Sequence, residues 1–225
     1  MMVKKIPAYF FEYFSNHRIV LLLGAILVMI IGSPFLYDIF HYRFIPDLFL
    51  TIIFVFGIYA ISHKKRNIYI ALSLAIPMFA GIWSSHLYQT LQPLAVGHLF
   101  GVLFVGFIIS LLIKFIFNEK QVTTELIYAA VVVYLLMALM WAFAYSILNY
   151  FYPGSFSISE GATRDTFQYI YFSFVTITTL GYGDVAPLTQ KASSLAILEA
   201  VTGQIYLVVV VAWLVGMHVS GRSRN

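Results

Sequence analysis

The chain has 225 residues, of which 61% are hydrophobic and only 10% charged. Soluble domains carry about 25% charged residues, so this composition, with a mean hydropathy of +0.91, describes an integral membrane protein. The net charge of +4 does not point to nucleic acid, because the basic residues collect at helix ends, and the absence of cysteine excludes disulfides and thiolate metal sites.

Residues 1–17, with Lys4, Lys5 and a run of aromatics (Tyr9, Phe10, Phe11, Tyr13, Phe14), suit a cytoplasmic amphipathic lead-in. A cleaved signal peptide is the rival, but the following apolar run is long enough to span and no small-x-small cleavage site follows it. Stretches of membrane-crossing length predict spans over 18–37, 47–62, 68–87, 94–117, 124–151 and 190–219. A short, non-spanning helix is expected over 164–177, with Thr163 as N-cap and Asp165 in its first turn. Pro34, Pro46, Pro77 and Pro93 punctuate the first four spans, at their ends or as kinks. The expected fold class is therefore all-α: six transmembrane helices plus a re-entrant helix and loop.

With six crossings the basic residues sort cleanly. Lys4, Lys5, Arg18, Lys64, Lys65, Arg66, Lys114, Lys120, Arg222 and Arg224 fall on one side, while Arg43, Arg164 and Lys191 fall on the other. By the positive-inside rule both termini are cytoplasmic, in the cell (inner) membrane.

Residues 18–117 form a four-helix unit. Its fourth span holds no arginine and a single lysine, Lys114, at the cytoplasmic end. The second and third spans carry no interior acid, so a conventional voltage sensor, which must move charge through the field, is not expected. No function follows for these four helices. His98 could sense pH, although a hydrogen-bonded packing role suits it better. Lys64-Lys65-Arg66 could hold anionic headgroups, but a topogenic cluster explains it. Trp83 and Tyr88 suit an interface.

Between the short helix and the last span lies Val175-Thr176-Ile177-Thr178-Thr179-Leu180-Gly181-Tyr182-Gly183-Asp184-Val185. Glycine at 181 and 183 opens φ values closed to other residues, so successive carbonyls can point the same way. Non-helical backbone at membrane depth is tolerated only where protein buries it or water meets it. Four copies around an axis would stack rings of carbonyl oxygens above a ring of Thr179 hydroxyls. Carbonyl rings of this kind replace a cation's water shell in potassium channels, whose Thr-Val-Gly-Tyr-Gly loop is the standing example. Thr179-Leu180-Gly181-Tyr182-Gly183-Asp184 resembles that signature, with Leu180 in place of valine.

The resemblance to potassium channels covers about the last hundred residues. Pro187 follows the loop by three residues, and Gly203, nineteen after Asp184, sits where the family often has a hinge glycine. Gly203-Gln204-Ile205-Tyr206-Leu207 and Val215-Gly216 are similar to the inner helix of simple bacterial channels, with Trp213 where a basic residue is common. The resemblance implies a pore domain over 118–225: outer helix 124–151, pore helix 164–177, filter 178–184, inner helix 190–219 and a short cytoplasmic tail. It implies a homotetramer in membrane lipid that conducts K+ passively, with K+ as permeant ion and no cofactor. The ion would meet Thr178, Thr179, Leu180, Gly181, Tyr182 and Gly183, with K+ bound at Thr179, Leu180, Gly181 and Tyr182. Asp184 would be tied down by Tyr171, and Val175 occupies a place where some relatives carry a carboxylate behind the filter.

If Gly203 marks the register, helical spacing puts Gln204, Leu207, Val211, Val215 and Val219 on the pore path, with ordinary helix packing as the rival. Glu199, an acid inside an apolar helix, is either a functional group or a structural hydrogen-bonding group behind the filter. The short tail after Val219 leaves no room for a soluble regulatory domain. There are three rival readings: an intramembrane protease, a weakly selective cation pore, and a non-conducting structural or regulatory subunit. Gly181-Tyr182-Gly183-Asp184 also matches the Gly-x-Gly-Asp of intramembrane aspartyl proteases, with Tyr37-Asp38 as the partner pair. However, Asp38 falls at the outer end of the first helix, and Ala186-Pro187-Leu188 is not the family's Pro-Ala-Leu, so no enzyme is expected. A weakly selective cation pore would need a lost carbonyl ring, and Tyr182 is intact.

Overall fold

The computed structural model describes residues 17–40, 44–62, 64–88, 90–158 and 166–222. Among them are seven α-helices: α1 Arg18–Phe40, α2 Ile45–Ala60, α3 Lys65–Tyr88, α4 Leu91–Asn118, α5 Thr124–Phe151, α6 Thr166–Ile177 and α7 Gln190–Arg222. Five of these (all but α2 and α6) are long and apolar enough to cross a membrane, so the chain is a multi-pass membrane protein. With 16 residues, α2 rises about 24 Å and falls short of a hydrocarbon core of about 30 Å. The expected N-terminal lead-in, Arg43, Thr163, Arg164 and Asp165 lie outside the described residues.

Proline explains two local choices. Pro46 opens α2, where its missing N–H would have had no intrahelical partner. Pro34 and Pro77 instead lie inside α1 and α3, where each removes one backbone hydrogen bond.

From α1 to α5 each helix runs antiparallel to the one before it, with polar pairs at matching ends. Arg18, opening α1, donates to Ser62 Oγ just beyond α2 at 2.8 Å and lies 4.9 Å over the Tyr59 ring. Asp47, in the first turn of α2, meets His86 in the last turn of α3 at 2.8 Å. His98, near the start of α4, bonds through Nδ1 to Ser146 Oγ near the end of α5 at 2.8 Å. Tyr206 of α7 donates back to the Ala130 carbonyl of α5 at 2.8 Å.

The core is continuous across the chain. The Phe54 ring meets Phe104 edge-on at 5.2 Å and reaches Phe143 of α5 at 6.1 Å, while His98 stacks on Phe143 at 4.9 Å. His98 is fully buried and serves packing. Small residues set the closest crossings: α3 and α4 meet at Gly81 and Gly97, and α4 lays Gly101 against the Phe143 ring. Such contacts let backbones approach where lipid supplies no hydrophobic drive.

A Cβ on Gly81 would stand 2.6 Å from the backbone of Gly97 and from the Pro93 carbonyl. Gly81→Ala should therefore push α3 and α4 apart, at about 1–3 kcal/mol for overpacking. Thermal unfolding in detergent should show a lowered Tm, whereas Gly106→Ala, whose nearest neighbour is Met140 Sδ at 3.7 Å, should leave it unchanged.

Candidate functional site

The short helix α6 is held by its buried face, which carries Tyr169, Ile170, Phe172, Ser173, Val175 and Ile177. Phe172 meets Tyr145 and Phe156 edge-on at 5.0 and 5.3 Å. Ile177 presses on α7 at Gly203, where an added Cβ would lie 2.5 Å from Ile177 Cγ1. Gly203 thus has a packing reason in addition to the hinge role expected of it.

Hydrogen bonds dictate how the chain leaves α6. The amide and hydroxyl of Thr178 both donate to the Phe174 carbonyl, at 3.1 and 2.6 Å. Thr179 N–H donates to Thr176 O, and the amides of Leu180 and Gly181 both donate to Val175 O at 3.0 and 3.2 Å. The Tyr134 hydroxyl of α5 takes the Ile177 carbonyl at 2.8 Å. All four of the last carbonyls, which a helix end leaves without intrahelical partners, are thereby used.

Beyond this point every second residue takes a positive φ: Thr179 at 59°, Gly181 at 58° and Gly183 at 78°. The two glycines were legible in the sequence; Thr179 was not. The left-handed region costs a non-glycine residue about 1–2 kcal/mol, and residues held there gather at functional sites. Among the described residues, the carbonyl oxygens of Thr178, Thr179, Leu180, Gly181, Tyr182 and Gly183 accept no hydrogen bond. All six residues are exposed on the single chain.

A collar closes the far end of the loop. Tyr171 donates to Asp184 Oδ2 at 2.6 Å, and the Val185 amide donates to Oδ1 at 3.0 Å. The Tyr171 hydroxyl holds the Asp184 carboxyl below the usual carboxylate range, and the same bond pushes the Tyr171 phenol up to about 12. The segment after α5 pairs antiparallel with the segment after the loop, at Phe156 and Pro187. Ser157 N–H donates to Ala186 O at 2.9 Å, and Leu188 N–H donates to Ser155 O at 2.8 Å. Ser157 Oγ accepts from the Ala186 amide at 2.8 Å, and Lys191 Nζ sits 3.3 Å over the Tyr152 ring.

The residues singled out in the sequence thus fall into three groups. Thr178 to Gly183, Asp184 and Tyr171 come together in one strand and its brace. Val175 serves that strand through its carbonyl, with its side chain buried. Gln204, Leu207, Val211, Val215 and Val219 are all exposed, whereas Gly203 and Val210 of the same helix are buried. Glu199 is fully buried and bonded to Tyr145 and Ser173. Sequence reasoning missed Tyr134, Ser155 and Ser157, whose partners lie 27 to 43 positions away; only the turn residues Pro153 and Gly154 hinted at the collar.

Gly203→Ala should destabilise the fold by about 1–3 kcal/mol through its clash with Ile177. In an Ile177→Ala background the same change should cost much less, because neighbours that share one contact do not add. Unfolding midpoints of the two single variants and the double variant check this.

The family model described as ion channel matches residues 121–219, from the turn before α5 to near the end of α7. Two pore potassium channel c of Oryza sativa subsp. japonica is 39% identical over 51 residues, covering 23% of this chain and 11% of that protein. The chain thus matches about a tenth of the length of that relative, and no solved structure matches it. Residues 121–219 are thus similar to the ion-channel family, and a 51-residue stretch of the chain is similar to a potassium channel.

Proposed function

We propose that four copies of this chain surround an axis and conduct K+ passively through a filter of their backbone carbonyls. Residues 178–184 are the filter, K+ is held at Thr179, Leu180, Gly181 and Tyr182, and the pore domain spans 118–225. The observation that carries this is the row of six unclaimed carbonyls on a strand of alternating φ sign, directly beyond the C-terminal end of a short helix. Carbonyls in that arrangement can stand in for the water shell of an alkali cation. The partial negative charge at the end of α6 lowers the cost of a cation arriving from below.

One chain provides a single wall, and closed rings of identical subunits are the usual way to complete such a path. The exposed apolar surface of α7, including Ile197, Ile205, Val208, Val211, Val215 and Val219, suits contact with neighbours and a pore. Gln204, Leu207, Val211, Val215 and Val219 would form an apolar inner path that sheds water when narrow and rewets when wide.

The antiparallel end pairs support six crossings, with α2 returning the chain to the level where α1 begins. Both termini are then cytoplasmic, in the inner membrane, and Asp184 faces the outer mouth. Charge movement by α4 is no part of this reading, since α4 carries no arginine and is locked at Gly97 and Gly101. The Asp184 carboxylate, occupied by Tyr171 and Val185 N–H, suits a brace better than a proteolytic acid.

Purified protein in potassium-loaded liposomes should release K+ down its gradient and exclude Na+. Gly183→Asp or Tyr182→Ala should abolish that discrimination, and unchanged selectivity in either variant would contradict the filter assignment. Flux of both ions in the unaltered protein would indicate a weakly selective pore. Peptide hydrolysis lost in Asp184→Ala would instead favour an intramembrane protease. Tyr171→Phe, which removes the brace on Asp184, should shorten the lifetime of the conducting state in single-channel records without changing which ion is preferred.

A further inference from the structure

Glu199 sits where α5, α6 and α7 meet, with no exposed surface. Tyr145 of α5 donates to its Oε2, and the Ser173 hydroxyl of α6 lies in hydrogen-bond contact with its Oε1. The same Ser173 hydroxyl contacts the Ala138 carbonyl of α5 at 2.6 Å.

These contacts can be counted in protons. A tyrosine or serine hydroxyl donates one, a backbone carbonyl none, and an ionised carboxylate none. The three contacts Tyr145–Glu199, Glu199–Ser173 and Ser173–Ala138 therefore need three protons, and the two hydroxyls supply two. With an ionised Glu199, Ser173 can satisfy either Ala138 or Glu199, and the other contact sets lone pair against lone pair. With a neutral acid the chain closes: Tyr145 donates to Oε2, Oε1–H donates to Ser173 Oγ, and Ser173 donates to Ala138 O. Glu199 has no exposed surface, and among the described residues no basic side chain bonds to it. The titratable groups facing it are the phenols of Tyr145 and Tyr134, both from α5, whereas α6 presents only Ser173.

We propose that Glu199 is held as a neutral carboxylic acid whose proton clasps α6 to α7 and so positions the loop beyond α6. Ser173 lies two residues before Val175, whose carbonyl orients the amides of Leu180 and Gly181. Four residues after Glu199, Gly203 receives Ile177, so α7 holds α6 at two points, one polar and one apolar. The clasp is complete while the acid keeps its proton and opens as pH rises through its titration. Ser173 then faces two acceptors with one proton, α6 shifts, and conduction falls. Glu199 is a positioning residue, since it touches no ion. The effect on conduction rests on the filter reading; the protonation state does not.

Infrared spectroscopy of the assembled protein, with carboxyl-labelled glutamate, tests the protonation directly. The expected result at neutral pH is a protonated-carboxyl band that shifts with the label, is absent from Glu199→Gln, and is lost at alkaline pH. Glutamine reproduces the neutral pattern, its amide N–H donating to Ser173 and its oxygen accepting from Tyr145. Glu199→Gln should therefore keep potassium flux near that of the unaltered protein at neutral pH and lose the alkaline fall. Absence of the band in folded protein at neutral pH overturns the proposal, as does an alkaline fall that persists in Glu199→Gln. If Glu199→Gln fails to assemble, the labelled band in the unaltered protein decides alone. A band present without any potassium flux would uphold the protonated clasp and overturn the filter reading.

Discussion

A peptide carbonyl released from a helix at membrane depth must find a partner, because hydrocarbon offers none. This constraint governs the whole C-terminal half of the chain. At the end of α6 it is met conventionally, with the carbonyls of Phe174, Val175, Thr176 and Ile177 each taken by an amide or hydroxyl of the same chain. Over the next six residues it is left open: among the described residues none of these oxygens accepts a hydrogen bond, and all six residues are exposed on the single chain. The surrounding framework holds that segment in its conformation of alternating φ sign.

Three braces achieve this, and each comes from a different part of the fold. Tyr134 of α5 and the Val175 carbonyl secure the strand at its root. Tyr171, Val185 and the Ser155–Ser157 segment secure it at its far end. Gly203 and Glu199 on α7 press on α6 from behind. Apart from Glu199, none acts through a long flexible side chain: hydroxyls of short or ring side chains, backbone amides and a missing Cβ lose little conformational freedom when fixed. A positive φ at Thr179 persists only because its surroundings over-determine it.

The first four helices join this framework through α5. Phe54, His98 and Phe104 pack with Phe143 in one cluster, so the outer helix is shared between the two halves of the chain. The Asp47–His86 pair, in which Asp47 is buried, fastens the start of α2 to the end of α3. With Gly81, Gly97 and Gly101 at its closest crossings, α4 is tightly seated against both neighbours.

By itself the sequence determined where helices form, because an apolar run of spanning length in a chain with 10% charge has few other uses. It also marked the loop, since Gly181 and Gly183 two residues apart permit a backbone that no helix contains, and it linked Tyr171 to Asp184 by resemblance. Helix ends shifted by a few residues, as in α2, which begins at Ile45 rather than 47 and ends at Ala60. Only the tertiary structure decided that Thr179 adopts a positive φ, that Tyr134 caps Ile177, that Ser157 backs Ala186, and that one proton too few would remain around an ionised Glu199. Each of these depends on atoms brought together from positions far apart in the chain. Local propensity is blind to such partners, whereas hydrophobic length and glycine spacing are local quantities that a sequence displays directly.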